Sequence, residues 1–430
     1  MKRIALLLVL ALMLLIAAPV QGQEALSRGE FASMLVEAGN MESNLPPADL
    51  LVQKGIMKGY PDGKLYLDRN ITRMEATALI AKTLGMAEAI APPVEGDVSL
   101  ENHWGYTFYS WLEYFGLTDG NPKDILTKEE GSAILEKVFT SSPEATSLLE
   151  KSKEAAKGIS SLRSVISGNM NIIPRPGAEK TEEIPQMSFQ MKAVQEMVLP
   201  ASMHQLTTII MDIPGAGEQE ISSEMYLLDG KIYQQLPLGE AGETKWVLYP
   251  EELFPDLEQM MNLEGASTAI PEGMEDYLYC QLLGTSEING EEFYKLATYG
   301  RVDDFDAFLE AMAGQLGSNK QLLELLGQGM AIIDSLSFWC IEYIDADDYL
   351  TKSADMFLII TMAEEFAGEP IPLEAFQMNI KVEELSYNED IVIELPEEAE
   401  NASLMDFSEL LPDQGLLQEQ LPEQEQLPEE

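Results

Sequence analysis

The feature that most restricts the fold of this chain is a repeat near its amino terminus. Residues 55–84 read GIMKGYPDGKLYLDRNITRMEATALIAKTL. Gly59-Tyr60-Pro61-Asp62-Gly63 is dense turn chemistry: the proline fixes one backbone angle and the glycines admit positive φ. Thr72 and Glu75 stand at the spacing of a capping box, in which each side chain takes an orphan amide at a helix start. Met74, Ala78, Ala81 and Leu84 follow on one helical face, which ends near Gly85. The pattern then returns. Gly116-Leu-Thr-Asp-Gly-Asn-Pro repeats Gly55-Ile-Met-Lys-Gly-Tyr-Pro, and Leu126-Thr-Lys-Glu-Glu repeats Ile71-Thr-Arg-Met-Glu. Leu26-Ser-Arg-Gly-Glu makes a partial further copy. Apolar helical faces follow these starts, Phe31, Met34, Leu35 and Ala38 in the first and Ile134, Leu135 and Val138 in the last. A second helix is expected before each glycine turn, clearest where Trp104, Phe108, Trp111, Leu112 and Phe115 recur. Such units cannot bury their faces singly and must pack together.

The run GYPDG followed by ITRMEA, with its flanking copies, resembles S-layer-homology (SLH) repeats over about residues 24–140. The first copy lacks a clear leading helix; the third has Lys128 where the family has arginine and lacks the full turn. The resemblance implies a compact helical spindle that binds secondary cell-wall polysaccharide, often pyruvylated, without covalent attachment. It places the basic binding residue at Arg73, and by position at Arg28 and Lys128, and maps the family's Trp and loop-glycine positions onto Trp104, Gly59 and Gly120. The chemistry is coherent in itself. An arginine at a helix start offers a forked donor beside the positive end of the dipole, and a tryptophan offers a platform for a sugar face. The plainer alternatives are that Arg73 pairs with Glu75 or another acid, and that Trp104 is core.

Lys2 and Arg3, an apolar run from Ile4 to Ala18, Pro19, and small residues up to Gly22 have the layout of a secretory signal peptide cleaved after Gly22. The run is shorter than the roughly 20 residues that span a bilayer, so an uncleaved anchor is the lesser alternative. The formal charge is −48. Residues 23–140 hold 18 acids and 10 bases, whereas residues 141–430 hold 56 acids and 14 bases. So acidic a surface repels nucleic acid. The two cysteines, Cys280 and Cys340, could be bridged after export or remain buried thiols. Two cysteines and two histidines give no usual zinc spacing, so no metal or cofactor is expected. The Asp345, Asp347, Asp348 cluster lacks the glycine and distal glutamate of a calcium loop and reads as a solvated turn. No nucleophile elbow, metalloprotease pair or phosphate loop is present, and the chain is not expected to be an enzyme.

From Ile159 the text is strand-like. Asp229-Gly230 and Asn289-Gly290 are strong hairpin signals. Strand text also covers residues 188–193, 207–213, 336–344, 349–362, 380–385 and 391–395, and residues 302–330 read as an interrupting helix. The runs EMYLLDGKIY, KWV, FWCIEYID and IELPEEA, in this order, resemble the lipoprotein-carrier superfamily (LolA/LppX-like). That resemblance implies a curved half-barrel sheet whose concave side holds an apolar ligand. Many of the 23 methionines fall here, and flexible thioethers suit an adaptable apolar surface, though they equally fill a core.

The expected organisation is multidomain: a signal peptide (1–22), an all-α bundle of SLH repeats (23–140), a helical linker (141–158), an α+β domain with a large curved antiparallel sheet (159–396), and a disordered acidic tail (397–430). The expected function is that of an exported protein held on secondary cell-wall polysaccharide at the cell surface, with a carboxy-terminal domain for a lipid or other apolar ligand. The alternative is a structural S-layer or envelope protein that self-associates without a small ligand. A wall-active hydrolase is a distant third reading.

Overall fold

The computed structural model describes residues 24–86, 104–175, 177, 188–200, 202–213, 217–236, 244–250, 277–305, 308, 332–366 and 368–405. The expected signal peptide, most of the interrupting helix and the tail beyond residue 405 lie outside the described residues.

The repeats form α1 (Arg28–Ala38), α2 (Pro47–Gln53), α3 (Arg73–Thr83), α4 (Tyr106–Tyr114) and α5 (Lys128–Val138). Complete capping boxes open α1, α3 and α5: Ser27 with Glu30, Thr72 with Glu75, and Thr127 with Glu130. The residues just before these caps tie the three starts together. Leu26 N–H donates to the Leu126 carbonyl at 2.8 Å, Leu126 N–H to Ile71 at 3.0 Å, and Ile71 N–H to Leu26 at 2.9 Å. This closed ring of three hydrogen bonds is buried, with Leu26, Ile71 and Leu126 at most 1% exposed. It gives the helix starts a pseudo-threefold arrangement. The helix expected around Trp104 begins later: Phe108, Trp111 and Leu112 lie in α4 and Phe115 caps it, whereas Trp104 precedes it and is 60% exposed.

A twelve-stranded sheet follows, made of β1 (Ser161–Pro174), β2 (Ser188–Val198), β3 (Ser202–Ile213), β4 (Gly217–Leu228), β5 (Lys231–Leu236), β6 (Lys245–Leu248), β7 (Leu278–Ile288), β8 (Glu291–Val302), β9 (Ile333–Asp345), β10 (Thr351–Met362), β13 (Leu373–Tyr387) and β14 (Ser403–Leu404). Its order is β14-β6-β5-β4-β3-β2-β1-β13-β10-β9-β8-β7, and β11 (Glu365–Phe366) and β12 (Glu369–Pro370) form a separate ribbon. All neighbours are antiparallel except β14, which runs parallel to β6, so the sheet is mixed. The expected hairpins turn at Asp229-Gly230 and Asn289-Gly290, where all four residues have positive φ.

The helices are not a free-standing bundle. One core unites Trp111, Phe115 and Leu117 with Tyr299, Trp339 and Phe357 of the sheet. The Trp111 ring lies 4.9 Å from Phe357 edge-on, and Phe115 lies 4.8 Å from Trp339. Offset and edge-to-face aromatic packing of this kind adds to the burial itself. Polar groups finish the junction. Gln281 Nε2 donates to the Lys137 and Thr140 carbonyls at 2.8 and 2.6 Å, and the Tyr299 hydroxyl to Val138 at 2.9 Å. These donors satisfy carbonyls that the last turn of α5 would otherwise leave open.

Three boundary expectations are corrected. Residues 141–158 are no linker: α6 (Pro143–Ala156) packs Ala145, Leu148 and Leu149 against Cys280, Leu296 and Ile344. Its amphipathic face had a sheet to cover. Residues 391–395 form no strand. The chain also stays in the fold past residue 396, because Ala399 and Met405 are buried and Ser403–Leu404 add β14 to the sheet edge. Cys280 and Cys340 are both buried and free. Each faces Thr298 of β8 from opposite sides, so two strand spacings, about 10 Å, separate them, too far for a disulfide.

Candidate functional site

The threefold end of the helices gathers most of the sequence-derived candidates. Capping geometry puts Arg28, Arg73 and Lys128 at the first position of α1, α3 and α5. Their own amides are already used: Arg28 N–H donates to Arg69, Arg73 N–H to Asp124 and Lys128 N–H to Glu24, so what favours an anion there is the helix dipole and the basic side chains. Each glutamate of a capping box is also within reach of a neighbouring repeat.

Arg28 Nη1 lies 3.0 Å from Glu75 Oε1, and its Nε donates to the Leu65 carbonyl at 3.2 Å. The Tyr60 hydroxyl donates to the same Glu75 oxygen at 2.7 Å. Arg28 and Arg69 both stand over the Tyr60 ring, 5.0 and 5.2 Å from its centre. Burial would push the Glu75 carboxyl up, but the Thr72 amide, the Tyr60 hydroxyl and the Arg28 guanidinium outweigh it and hold it below the usual range. In this corner Arg28, Glu75 and Tyr60 are used by one another.

The second corner repeats the plan with a gap in it. Arg73 Nη2 lies 3.0 Å from Glu130 Oε1. Arg73 is 8% exposed, yet its Nε is buried with no hydrogen-bond partner among the described residues. Gly120 stands beside that edge: a Cβ there would lie 3.5 Å from Arg73 Nε. Its φ of +86° suits glycine. The Tyr109 hydroxyl donates to the Gly120 carbonyl at 2.6 Å and fixes the loop. Burial, then the charge of Glu113, raises this phenol to about 12, so it remains a donor. An arginine with a vacant Nε has half of the fork that grips a carboxylate.

Lys128 occupies the third corner. It is exposed, and its charge acts through space on Glu30, whose carboxyl is lowered first by the Ser27 hydroxyl and amide. Gly59 lies in the turn of the first corner, where a Cβ would meet the Gly63 carbonyl oxygen at 3.0 Å, so its role there is steric. The structure thus brings Arg28, Arg73, Gly59 and Gly120 into the two repeat interfaces and leaves Lys128 at the third helix start. Tyr109, Arg69 and the cross-repeat pairings of Glu75 with Arg28 and of Glu130 with Arg73 were not singled out from sequence, which had offered Glu75 as a partner for Arg73. The tyrosine in the turn, one residue after Gly59, was the available signal.

The other sequence-derived features have ordinary structural roles. Asp345 Oδ1 accepts from the amides of Asp347 and Asp348, and Asp348 Oδ1 from Leu350, as in a self-capped turn. His204 stacks on Tyr226 at 4.4 Å in β3. Among the described residues no group of three metal-ligating side chains converges, and no helix is long and apolar enough to cross a membrane.

Two family models match the chain, in different stretches. A model of the S-layer homology domain matches residues 46–77, which include the Gly59–Gly63 turn and the start of α3. The chain belongs to a family of unknown function, DUF6612, whose model matches residues 144–403, from α6 to β14. No curated protein matches the sequence. Among solved structures, LprF from Mycobacterium bovis aligns with 14% identity and a TM-score of 0.30, covering 60% of this chain and 99% of that one. The Mycobacterium tuberculosis lipoprotein LppX aligns with 12% identity and a TM-score of 0.25, covering 59% and 100%. A putative outer-membrane lipoprotein-sorting protein domain from Vibrio parahaemolyticus aligns with 10% identity and a TM-score of 0.22, covering 58% and 94%.

Proposed function

We propose that this is an exported cell-surface protein held non-covalently on an acidic wall polysaccharide through the threefold end of its helices. The observation that carries the reading is the buried, unpartnered Nε of Arg73 beside Gly120. A guanidinium edge of this kind, at the positive end of a helix dipole, suits a saccharide carboxylate. Arg28 has its Nε engaged, so it holds the repeats together and leaves Arg73 as the main contact. The role is binding only, with no catalytic step. The test is binding of the full-length protein to purified wall polysaccharide by surface plasmon resonance. Arg73→Ala is expected to weaken binding by tenfold or more, about 1.4 kcal/mol; unchanged binding would remove Arg73 from the site.

A second reading concerns the sheet. On the face away from α4, the ladder sets Leu358, Met378, Met170, Phe189 and Met211 in one row, with Met356, Ile380 and Met191 in the next. These side chains are half-buried. A broad methionine-rich face is adaptable and suits an apolar ligand such as a lipid chain. Native mass spectrometry of the purified protein is expected to detect co-purified lipid. A ligand-free protein that also fails to enhance cis-parinaric acid fluorescence would leave the sheet with a structural envelope role.

A further inference from the structure

A second polar region lies on the opposite face of the sheet, beside the docked helices. A trough of about 630 Å³ crosses β2, β1, β13 and β10. Its floor is set by register. Asn169 faces Asn379 on one side and Gln190 on the other, while Ser167 faces Lys381 and Lys192. Asn171 extends the row along β1, and Phe357 closes the trough towards α4.

This floor is chemically unlike the rest of the protein. Four carboxamides occupy neighbouring positions on three central strands. Asn379 donates to Asn169 at 3.0 Å, but Asn171 and Gln190 make no side-chain hydrogen bond among the described residues. Lys192 and Lys381 are exposed and form no ion pair among the described residues, in a chain of net charge −48. Two acids share this region: Asp355 lines the trough opposite Lys381 and accepts from the Tyr114 hydroxyl at 3.3 Å, and Glu383 accepts from Ser167 at 2.7 Å. Two cations on one face, separated by one strand, stand about 10 Å apart at the backbone.

We propose that this trough is a second saccharide-binding site, outside the helices, which takes an acidic glycan chain. The two lysines meet its carboxylates. The amides, each both donor and acceptor, meet its hydroxyl groups. The site is independent of the Arg73 reading, since it shares no residue with that corner.

The test is isothermal titration calorimetry of the full chain with hexagalacturonate as the acidic probe, maltohexaose as the neutral probe and inorganic phosphate as the bare anion. Hexagalacturonate is expected to bind, and the double variant Lys192→Gln/Lys381→Gln to weaken it about tenfold. Asn171→Ala/Gln190→Ala is expected to weaken it as well, and each comparison is repeated in the Arg73→Ala background so that the helix-end corner does not contribute to the titration. All these changes lie away from the core except Arg73, so circular dichroism confirms that the sheet variants fold. No binding of hexagalacturonate, or an affinity unchanged from the native protein in either sheet variant, overturns the proposal. Phosphate that competes fully reduces the site to a simple anion site, and maltohexaose binding as tightly removes the acidic requirement; either result also overturns it.

Discussion

Arg28 reaches across a repeat boundary to Glu75, Nη1 to Oε1 at 3.0 Å, with side chains only 6% and 12% exposed. Arg73 makes the same contact to Glu130 at 3.0 Å, but Glu130 is 43% exposed. The difference sets the two corners apart energetically. Breaking a buried pair strands a charge and costs about 3–5 kcal/mol, whereas a half-exposed pair is worth about 1 kcal/mol or less. Arg28→Ala is therefore expected to lower stability several-fold more than Arg73→Ala in urea unfolding. Equal losses would mean that the two corners are energetically alike.

The capping boxes make the helices acid-sensitive. Glu75 is held low against burial by Thr72, Tyr60 and Arg28, and Glu130 is held low chiefly by the Thr127 amide. A carboxyl whose folded pKa lies below its unfolded value stabilises the fold fully above the unfolded value, about 4.3 for glutamate. That contribution is lost as pH falls through the folded pKa. Thermal unfolding followed by helix signal is expected to hold its midpoint from pH 7 to about 5 and to fall below about pH 4.3. Thr72→Val/Thr127→Val should flatten this fall, and a native profile with no acid limb would contradict the assignment.

Helices and sheet share one core, so they are expected to unfold together. Trp111 is fully buried between Phe115, Trp339 and Phe357. Trp111→Ala should cost about 3–5 kcal/mol by cavity formation and lower the midpoint for helix and sheet alike. Two separate calorimetric transitions in the native protein would show that the contact is weak.

Both thiols should be inert in the native state. Cys340 lies in the ladder under full burial, which, with Glu342 and Asp355 nearby, pushes its thiol well up. Ellman's reagent is expected to label neither cysteine until denaturant is added, and then both. Fast labelling of Cys280 or Cys340 in the native protein would place it at the surface.

Much of this fold was legible locally. Thr72 with Glu75, and Asp229-Gly230 and Asn289-Gly290, announced their helix start and hairpins because capping and positive-φ turns depend on a few adjacent residues. Arg28, Arg73 and Gly120 were found by repetition of the pattern. Their partners were not, because Glu75 and Glu130 reach them across 47 and 57 residues of chain. The same distance problem hid the docking of Trp111 on Trp339 and Phe357. It also turned α6 into an apparent linker, since Leu148 and Leu149 look amphipathic but do not name the sheet they cover. The amide trough escaped notice because Asn169 and Gln190 converge with Asn379 only through strand register.

The most direct test of wall anchoring is co-sedimentation of the full-length protein with purified cell-wall sacculi, comparing native protein with Arg73→Ala at equal folded fraction. The full chain is needed because the helices share their core with the sheet. The account predicts that native protein pellets and that the variant stays largely in the supernatant. Native protein that remains soluble, or a variant that pellets equally, would contradict anchoring through the Arg73 corner.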